Sequence, residues 1–332
     1  MKNIYDITII GAGPVGIFTG TYALMRQAKV QIIESLPQIG GQVSTLFPNK
    51  QIYDIPGFPK ISGMALIQNL KEQLNLFSPE IHLNETVLNF EKEKNYFKIH
   101  TDHRTTYSKT IILATGIGAF EPRKLRLKNA SQFENKQLFY SVPHIEDFKN
   151  KDIVVAGGGN SAADWTIELA RVAHHITLLH RRDQFRALEC SIKQIKHLSN
   201  ADILTPFIIN GLDLTDDNKL QITLKRTRTR DDFNQLVTDA LIVNYGVVTD
   251  NSTLKHWNLK TQNGQIIVNE YQETSTPGIY AVGDNAFAAE KINLIATGFG
   301  EAPIAVSHAL EKIYPEKLQP THSTQLMEDF KL

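Results

Sequence analysis

The segment that most limits what this chain can become is Gly11-Ala-Gly13-Pro-Val-Gly16, set directly after the apolar positions Ile7, Ile9 and Ile10. A short apolar run stopped by glycine reads as a buried parallel strand, and the glycines read as the turn that opens a helix. The glycines differ in what they make possible: a tight turn at Gly11, close backbone approach to a pyrophosphate at Gly13, and close helix-to-strand packing at Gly16. Phosphates would then lie at the positive end of the helix. A second short strand, Val30-Gln-Ile-Ile33, ends in Glu34, 23 residues after Gly11. A carboxylate in that place can accept hydrogen bonds from an adenosine ribose. A plain βαβ unit with a surface glutamate has the same spacing, so the rest of the chain has to decide between them.

The unit recurs. Asp152-Ile-Val-Val-Ala156 reads as a strand, Gly157-Gly158-Gly159-Asn160-Ser161-Ala162 as a second glycine turn, and Ile176-Thr-Leu-Leu179 as the following strand. The residue 23 after Gly157 is His180, followed by Arg181 and Arg182. An acid at one turn and His-Arg-Arg at the other separates a dinucleotide with a free ribose 2′-hydroxyl from one with a 2′-phosphate. Alanine in the third glycine position, Ala162, also suits the second kind.

At 332 residues with 42% hydrophobic composition, the chain suggests two domains with a core in each. Its 35 basic and 35 acidic residues cancel, so there is no electrostatic case for nucleic acid or an anionic membrane as the main partner. No apolar run approaches membrane-spanning length, and the first strand is expected by about Tyr5, leaving no room for a signal peptide. The expected location is the cytoplasm. Cys190 is the only cysteine, which excludes an internal disulfide, a cluster held by this chain's thiolates alone, and a CxxC redox pair.

Between the two turns, Gly40-Gly41-Gln42 offers close backbone approach and an amide, and Phe47, Tyr53 and Phe58 in a proline-rich loop offer a platform for a flat ring or plain loop packing. Ser62 is expected to cap a helix to about Leu76. Residues 85–107 read as a small meander, and 110–116 as a return strand ending Ala114-Thr-Gly116. Residues 220–230 read as an exposed edge strand, with Arg226, Arg228 and Arg230 on one face. Ala240-Leu-Ile-Val243 reads as a buried strand. Gly278-Ile-Tyr-Ala-Val-Gly-Asp284 brings a strand to an acid at its tip, and Thr297-Gly-Phe-Gly300 is expected to start a helix running from Glu301 to about Ile313. The amino end of that helix would offer positive potential to a nearby anion.

The paired turns, Ala114-Thr-Gly116, the strand ending at Asp284 and His180-Arg-Arg-Asp-Gln-Phe-Arg-Ala187 resemble the low-molecular-weight thioredoxin reductase family of two-dinucleotide flavoproteins. Members carry CxxC just before the second glycine unit, where this chain has Val142, Pro143 and His144. That departure, with Gly40-Gly41-Gln42, the loop ending at Pro59, Gly118-Ala-Phe120-Glu-Pro-Arg-Lys-Leu125 and His322-Ser-Thr324, is similar to the thioredoxin-reductase-like ferredoxin/flavodoxin–NADP reductases over nearly the whole chain.

The resemblance implies an α/β fold of two Rossmann-like dinucleotide-binding domains (three-layer ββα type), the second inserted into the first. The FAD-binding domain would comprise residues 1–116 and 278–332, and the NADPH-binding domain 117–277. FAD contacts are implied at Gly11, Gly13, Gly16, Glu34, Gln42, Phe47, Val87, Phe120, Asp284 and Thr324, with phenylalanine at 47 where tyrosine is usual. NADP(H) contacts follow at Gly157, Gly159, Asn160, Ser161, Ala162, His180, Arg181 and Arg182. Tyr53 and His322 are implied as catalytic partners on the two flavin faces, the latter over its own flavin or across a homodimer over the partner's. The implied activity moves hydride from NADPH to FAD and single electrons to ferredoxin or flavodoxin. A redox-sensing or diaphorase-type flavoprotein is the alternative, and the absence of CxxC disfavours thioredoxin reductase.

Overall fold

The structure is a computed structural model and describes residues 2–48, 50–116, 118–142, 144–250 and 257–316. Two compact units emerge: the described residues up to Ala119 together with those from Thr249 onward, and Phe120–Val248 between them.

In the first unit the central sheet runs Glu80–His82, Val30–Ile33, Ile4–Ile10, Thr105–Leu113, Phe97–Thr101, Val87–Lys92, and Ile279–Ala281 also joins Thr105–Leu113. The strand Thr105–Leu113 has two roles. Residues 105–108 pair antiparallel with Phe97–Thr101, while residues 107–113 run parallel to Ile4–Ile10. Alternation along the strands sends Ile7, Ile9, Val30 and Ile32 to one face, under the helices Pro14–Met25, Gly63–Asn75 and Ile295–Ile313. Ile10, Ile33, Ile111 and Leu113 go to the other, under the meander and Trp257. Helices, parallel sheet and meander are the three layers expected. Ser62 caps its helix as anticipated, accepting from the Ala65 amide at 3.2 Å.

The second unit repeats the plan. Its five parallel strands lie in the order Leu138–Phe139, Ala240–Val243, Asp152–Ala156, His175–Leu179, Ala201–Leu204. The helices Asn160–Leu169 and Glu189–Lys196 cover one face. A three-stranded antiparallel sheet, Phe207–Leu214, Leu220–Arg226 and Phe233–Thr238, covers the other.

Three expectations are corrected. Leu220–Arg226 is the central strand of its sheet, not an edge, because Leu220, Ile222 and Leu224 are buried and partners lie on both sides. The arginines do not share a strand face: Arg226 ends the strand and pairs with Asp232 at 2.6 Å, while Arg228 sits in the following turn at φ +66°. The last helix begins at Ile295, so its amino end lies at Leu294 and Gly300 is interior. Glycine there reads locally as a turn, yet Gly298 serves close packing, since a Cβ on it would lie 2.4 Å from Val15 Cγ2. The described residues from Thr249 onward group with the first unit. Trp257, Leu259 and Ile266 bury against the sheet, and Gln265–Ile267 pairs with Ala286–Phe287.

Candidate functional site

In each unit the glycine turn sits at the carboxyl ends of the parallel strands, where open α/β sheets bind ligands. Gly11 follows Ile10 at φ +101°, and a Cβ on it would lie 2.5 Å from the Ala114 carbonyl oxygen of the neighbouring strand. Only glycine meets both demands. A Cβ on Gly16 would lie 2.0 Å from the Gly11 carbonyl oxygen. Around Gly13 the reverse holds: a Cβ would find nothing within 4 Å, so the space before it is open to a ligand. Gly13 is also the N-cap of Pro14–Met25, which has no side-chain cap and no acid in its first turn. That end keeps its positive potential for an anion.

Glu34 lies where the spacing placed it, at the end of Val30–Ile33. It is 6% exposed, and its carboxylate accepts from the Ala12 amide at 2.7 Å and from the Leu36 amide at 2.8 Å. Ser35 adds a hydroxyl donor at 3.3 Å. A carboxylate offers about four acceptor sites, so one remains for a ligand hydroxyl while the others tie the strand end to the glycine turn. The Glu34 amide donates to the His82 carbonyl, and the Glu85 amide donates to the Glu34 carbonyl. Two residues on, Val87 starts its strand buried and within the same corner of the sheet.

Gly40 donates its amide to the Ala12 carbonyl, and a Cβ on Gly41 would lie 3.1 Å from Gly13 Cα, so the Gly-Gly-Gln loop folds onto the turn. Gln42, in the short Gly41–Leu46 helix, brings its amide within 3.8 Å of the Cβ position of Gly116. Phe47 follows that helix half-buried, with the Lys50 ammonium 5.3 Å from its ring centroid.

Asp284 sits exposed in the Gly283–Asn285 turn after Ile279–Ala281. Asn285 beside it is buried and donates to the Leu113 carbonyl at 3.0 Å and to Thr115 Oγ1 at 3.1 Å. Its Oδ1 is buried without a protein donor among the described residues, an orphaned acceptor of the sort a ligand hydroxyl or ordered water satisfies. The first turn, Gln42, the Ala114-Thr-Gly116 segment and the Asp284 turn therefore share one rim. Open space at Gly13, an uncapped helix end, a buried acid and this orphaned acceptor fit a nucleotide with a pyrophosphate and a polyol chain.

Tyr53 is 71% exposed and borders a concavity of about 520 Å³ built by its own loop, residues 53–59. Of Phe120 only the backbone is described, in the Ala119–Pro122 strand, which pairs with Val247–Asp250. His322, Thr324 and Pro143 lie outside the described residues.

In the second unit, a Cβ on Gly157 would lie 2.6 Å from the Asn244 carbonyl oxygen, and one on Gly159 would find nothing within 4 Å. Gly159 caps Asn160–Leu169, again with no side-chain cap and no acid in the first turn. Ala162 is fully buried and Ser161 half-buried, whereas Asn160 turns outward and accepts from the Leu188 amide at 2.9 Å. His180 lies flat against the turn: a Cβ on Gly158 would come within 2.1 Å of its ring. The Phe185 ring is 5.0 Å away, and the Arg186 amide donates to the Gly158 carbonyl, folding residues 181–187 over the turn. Arg181, Arg182 and Arg186 are exposed beside it. Burial first, then these arginines, hold the His180 imidazole below its ordinary pKa, against a hydrogen bond to the Gln184 backbone. A neutral imidazole packed on the turn and guanidiniums in solvent suit a phosphate-bearing ribose.

Lys291 and Glu301 were missed as site residues. They form a buried ion pair at 2.7 Å with side chains 6% and 9% exposed, placed under the Asp284 turn. A signal existed: the two flank nine uncharged residues, Ile292-Asn-Leu-Ile-Ala-Thr-Gly-Phe-Gly300.

A ferredoxin–NADP reductase of Ligilactobacillus salivarius is 52% identical over 334 aligned positions, covering 99% of this chain and 97% of its own length. One from Geobacillus kaustophilus is 45% identical, covering 98% of each chain. Among solved structures, a Lactococcus lactis thioredoxin reductase superposes with a TM-score of 0.76 at 26% identity, covering 94% of this chain and 99% of its own. That of T. acidophilum superposes at 0.77 with 24% identity, a likeness of fold. With the family model for pyridine nucleotide-disulphide oxidoreductases matching residues 5–309, the chain belongs to that family.

Proposed function

We propose that this chain is an FAD-dependent ferredoxin (or flavodoxin)–NADP+ oxidoreductase, with hydride entering from NADPH and single electrons leaving to a small redox protein. The observation that carries the reading is opposite chemistry at two turns of one build: a buried acid at Glu34, and His180 with exposed Arg181 and Arg182 at the other. The relatives' names support it at 45% to 52% identity. Cys190, the lone cysteine, is exposed on the Glu189–Lys196 helix of the second unit, so the chain lacks the dithiol that thioredoxin reduction requires.

Bound FAD would supply the conversion between a two-electron hydride and single electrons. The chain supplies binding and orientation. The amide end of Pro14–Met25 takes one pyrophosphate, and Glu34 accepts from the adenosine ribose while holding Ala12 in place. Gln42 donates near Gly116, and Asp284 accepts from polyol hydroxyls. In the second unit the amide end of Asn160–Leu169 takes the other pyrophosphate, and Arg181 and Arg182 take the 2′-phosphate through charge-assisted hydrogen bonds. Phe47, Val87, Phe120 and Thr324 complete the FAD contacts in this reading, with Tyr53 and His322 as the side chains packed on the flavin ring. The working form is a homodimer in the cytoplasm.

The test is direct. Purified protein should carry FAD and not FMN, and with NADPH it should reduce ferredoxin or flavodoxin over many turnovers. Flavin that bleaches with NADPH but passes electrons to neither protein would replace this reading with the redox-sensing or diaphorase-type one.

A further inference from the structure

We infer that the buried Lys291–Glu301 pair is a positioning device that holds Asp284 in place for the polyol chain of the flavin nucleotide, an inference that rests on the FAD reading above. The pair does not touch Asp284. It grips the residue before it from both sides: Glu301 Oε2 accepts from the Gly283 amide at 2.7 Å, and Lys291 Nζ donates to the Gly283 carbonyl at 2.6 Å. Lys291 also donates to the Ala286 carbonyl at 3.2 Å and to Glu301 Oε1 at 2.7 Å. All three ammonium protons thus have acceptors, the condition under which a lysine can be buried.

The residue after Asp284 is held independently, by Asn285 on Leu113 and Thr115. Gly283 has φ +76° and lies against the last helix, where a Cβ on Gly298 would fall 3.3 Å from Gly283 Cα. A turn of three residues is therefore fastened at both ends and from below. Its one exposed side chain is the Asp284 carboxylate.

Such investment is out of proportion to fold alone. A buried ion pair gives weak net stabilisation, because the desolvation of both charges offsets their attraction, and apolar residues of similar volume would serve the packing as well. What the pair offers over an apolar filling is direction: one donor and one acceptor aimed at the two backbone groups of a single residue. Binding groups held by their neighbours to within a fraction of an ångström keep the geometry their ligand needs.

The test compares FAD affinity in holoenzyme dilution series, read by recovery of FAD fluorescence, for wild type, Glu301→Gln, Lys291→Met, Asp284→Ala and the pairings of the first two with Asp284→Ala. Asp284→Ala removes a hydrogen bond to a charged acceptor and should weaken FAD by roughly 10- to 150-fold. Glu301→Gln and Lys291→Met should each weaken it within the same range, and adding either to Asp284→Ala should cost no more than about threefold further, as expected when two residues act through one contact. Losses that multiply in full, or single variants that hold FAD like wild type, overturn the inference. Where a single charge left behind prevents folding, Lys291→Met with Glu301→Gln leaves no unpaired charge; it should fold and lose FAD affinity, and wild-type affinity in it overturns the inference too. Wild-type protein that binds FAD but reduces neither ferredoxin nor flavodoxin sinks the functional reading alone, while the affinities still decide the role of the pair.

Discussion

The two glycine turns ask the same of the backbone and differ in what closes them. In each, a first glycine is wedged under the carbonyl of the adjacent strand, Ala114 in one unit and Asn244 in the other, and a middle glycine faces open space. The third position separates them. At Gly16 a methyl would meet a backbone oxygen at 2.0 Å, whereas the second unit carries Ala162, fully buried, in the equivalent place. Beyond the turns, the first unit answers with a carboxylate folded back onto the turn's own amide, and the second with an imidazole on the turn and guanidiniums in solvent. On the function proposed above, phosphate binding is then a property of main chain, and nucleotide choice a property of the side chains that end the next strand.

The largest expected effect comes from the third position. Gly16→Ala must displace main chain and should cost about 3 kcal/mol, with little FAD retained. Ala162→Gly only loosens a helix and should cost about 1 kcal/mol. Urea unfolding and FAD content per chain measure both, and equal losses would break the comparison.

Nucleotide choice comes next. Replacing Arg181 or Arg182 by alanine removes a charge-assisted hydrogen bond of about 1.5–3 kcal/mol, so the NADPH-to-NADH ratio of kcat/KM should fall roughly 10- to 150-fold. Glu34→Gln should loosen FAD and leave that ratio alone. A ratio that moves with Glu34 and not with the arginines reverses the assignment of turns to nucleotides.

The smallest effect is in pH. Because His180 titrates below its ordinary value in the folded chain, the unfolded chain binds its proton first as pH falls. Its contribution to stability is therefore complete above about pH 6.5 and declines as pH drops toward the folded value. Thermal unfolding of wild type should lose more between pH 7 and 5 than that of His180→Gln. Parallel curves for the two would mean that the imidazole is not held neutral against the turn.

Much of this site was legible because its parts are local. Glycine spacing, strand length and the residue 23 positions on are all set within one βαβ unit, where steric demands act between near neighbours. The readings that needed correction concern glycines and arginines whose meaning is not local. Gly298 and Gly300 spell a turn in isolation, yet both lie inside a helix, with Gly298 packed closely on Val15. The alternating arginines after Leu224 spell an edge strand, yet a turn at Arg228 separates them and neighbours on both sides make the strand central.

By itself, then, the sequence determined two α/β units, each with an open glycine turn, and offered Glu34 and His180-Arg-Arg as the candidate ribose partners of the two turns. The tertiary structure alone decided that Glu34 also ties down Ala12, that residues from Thr249 rejoin the first unit, and that Lys291 meets Glu301 around Gly283. The physical reason is one of range: backbone sterics and side-chain periodicity act within a few residues, whereas a buried carboxylate finds its donor only after strand order has brought distant segments together.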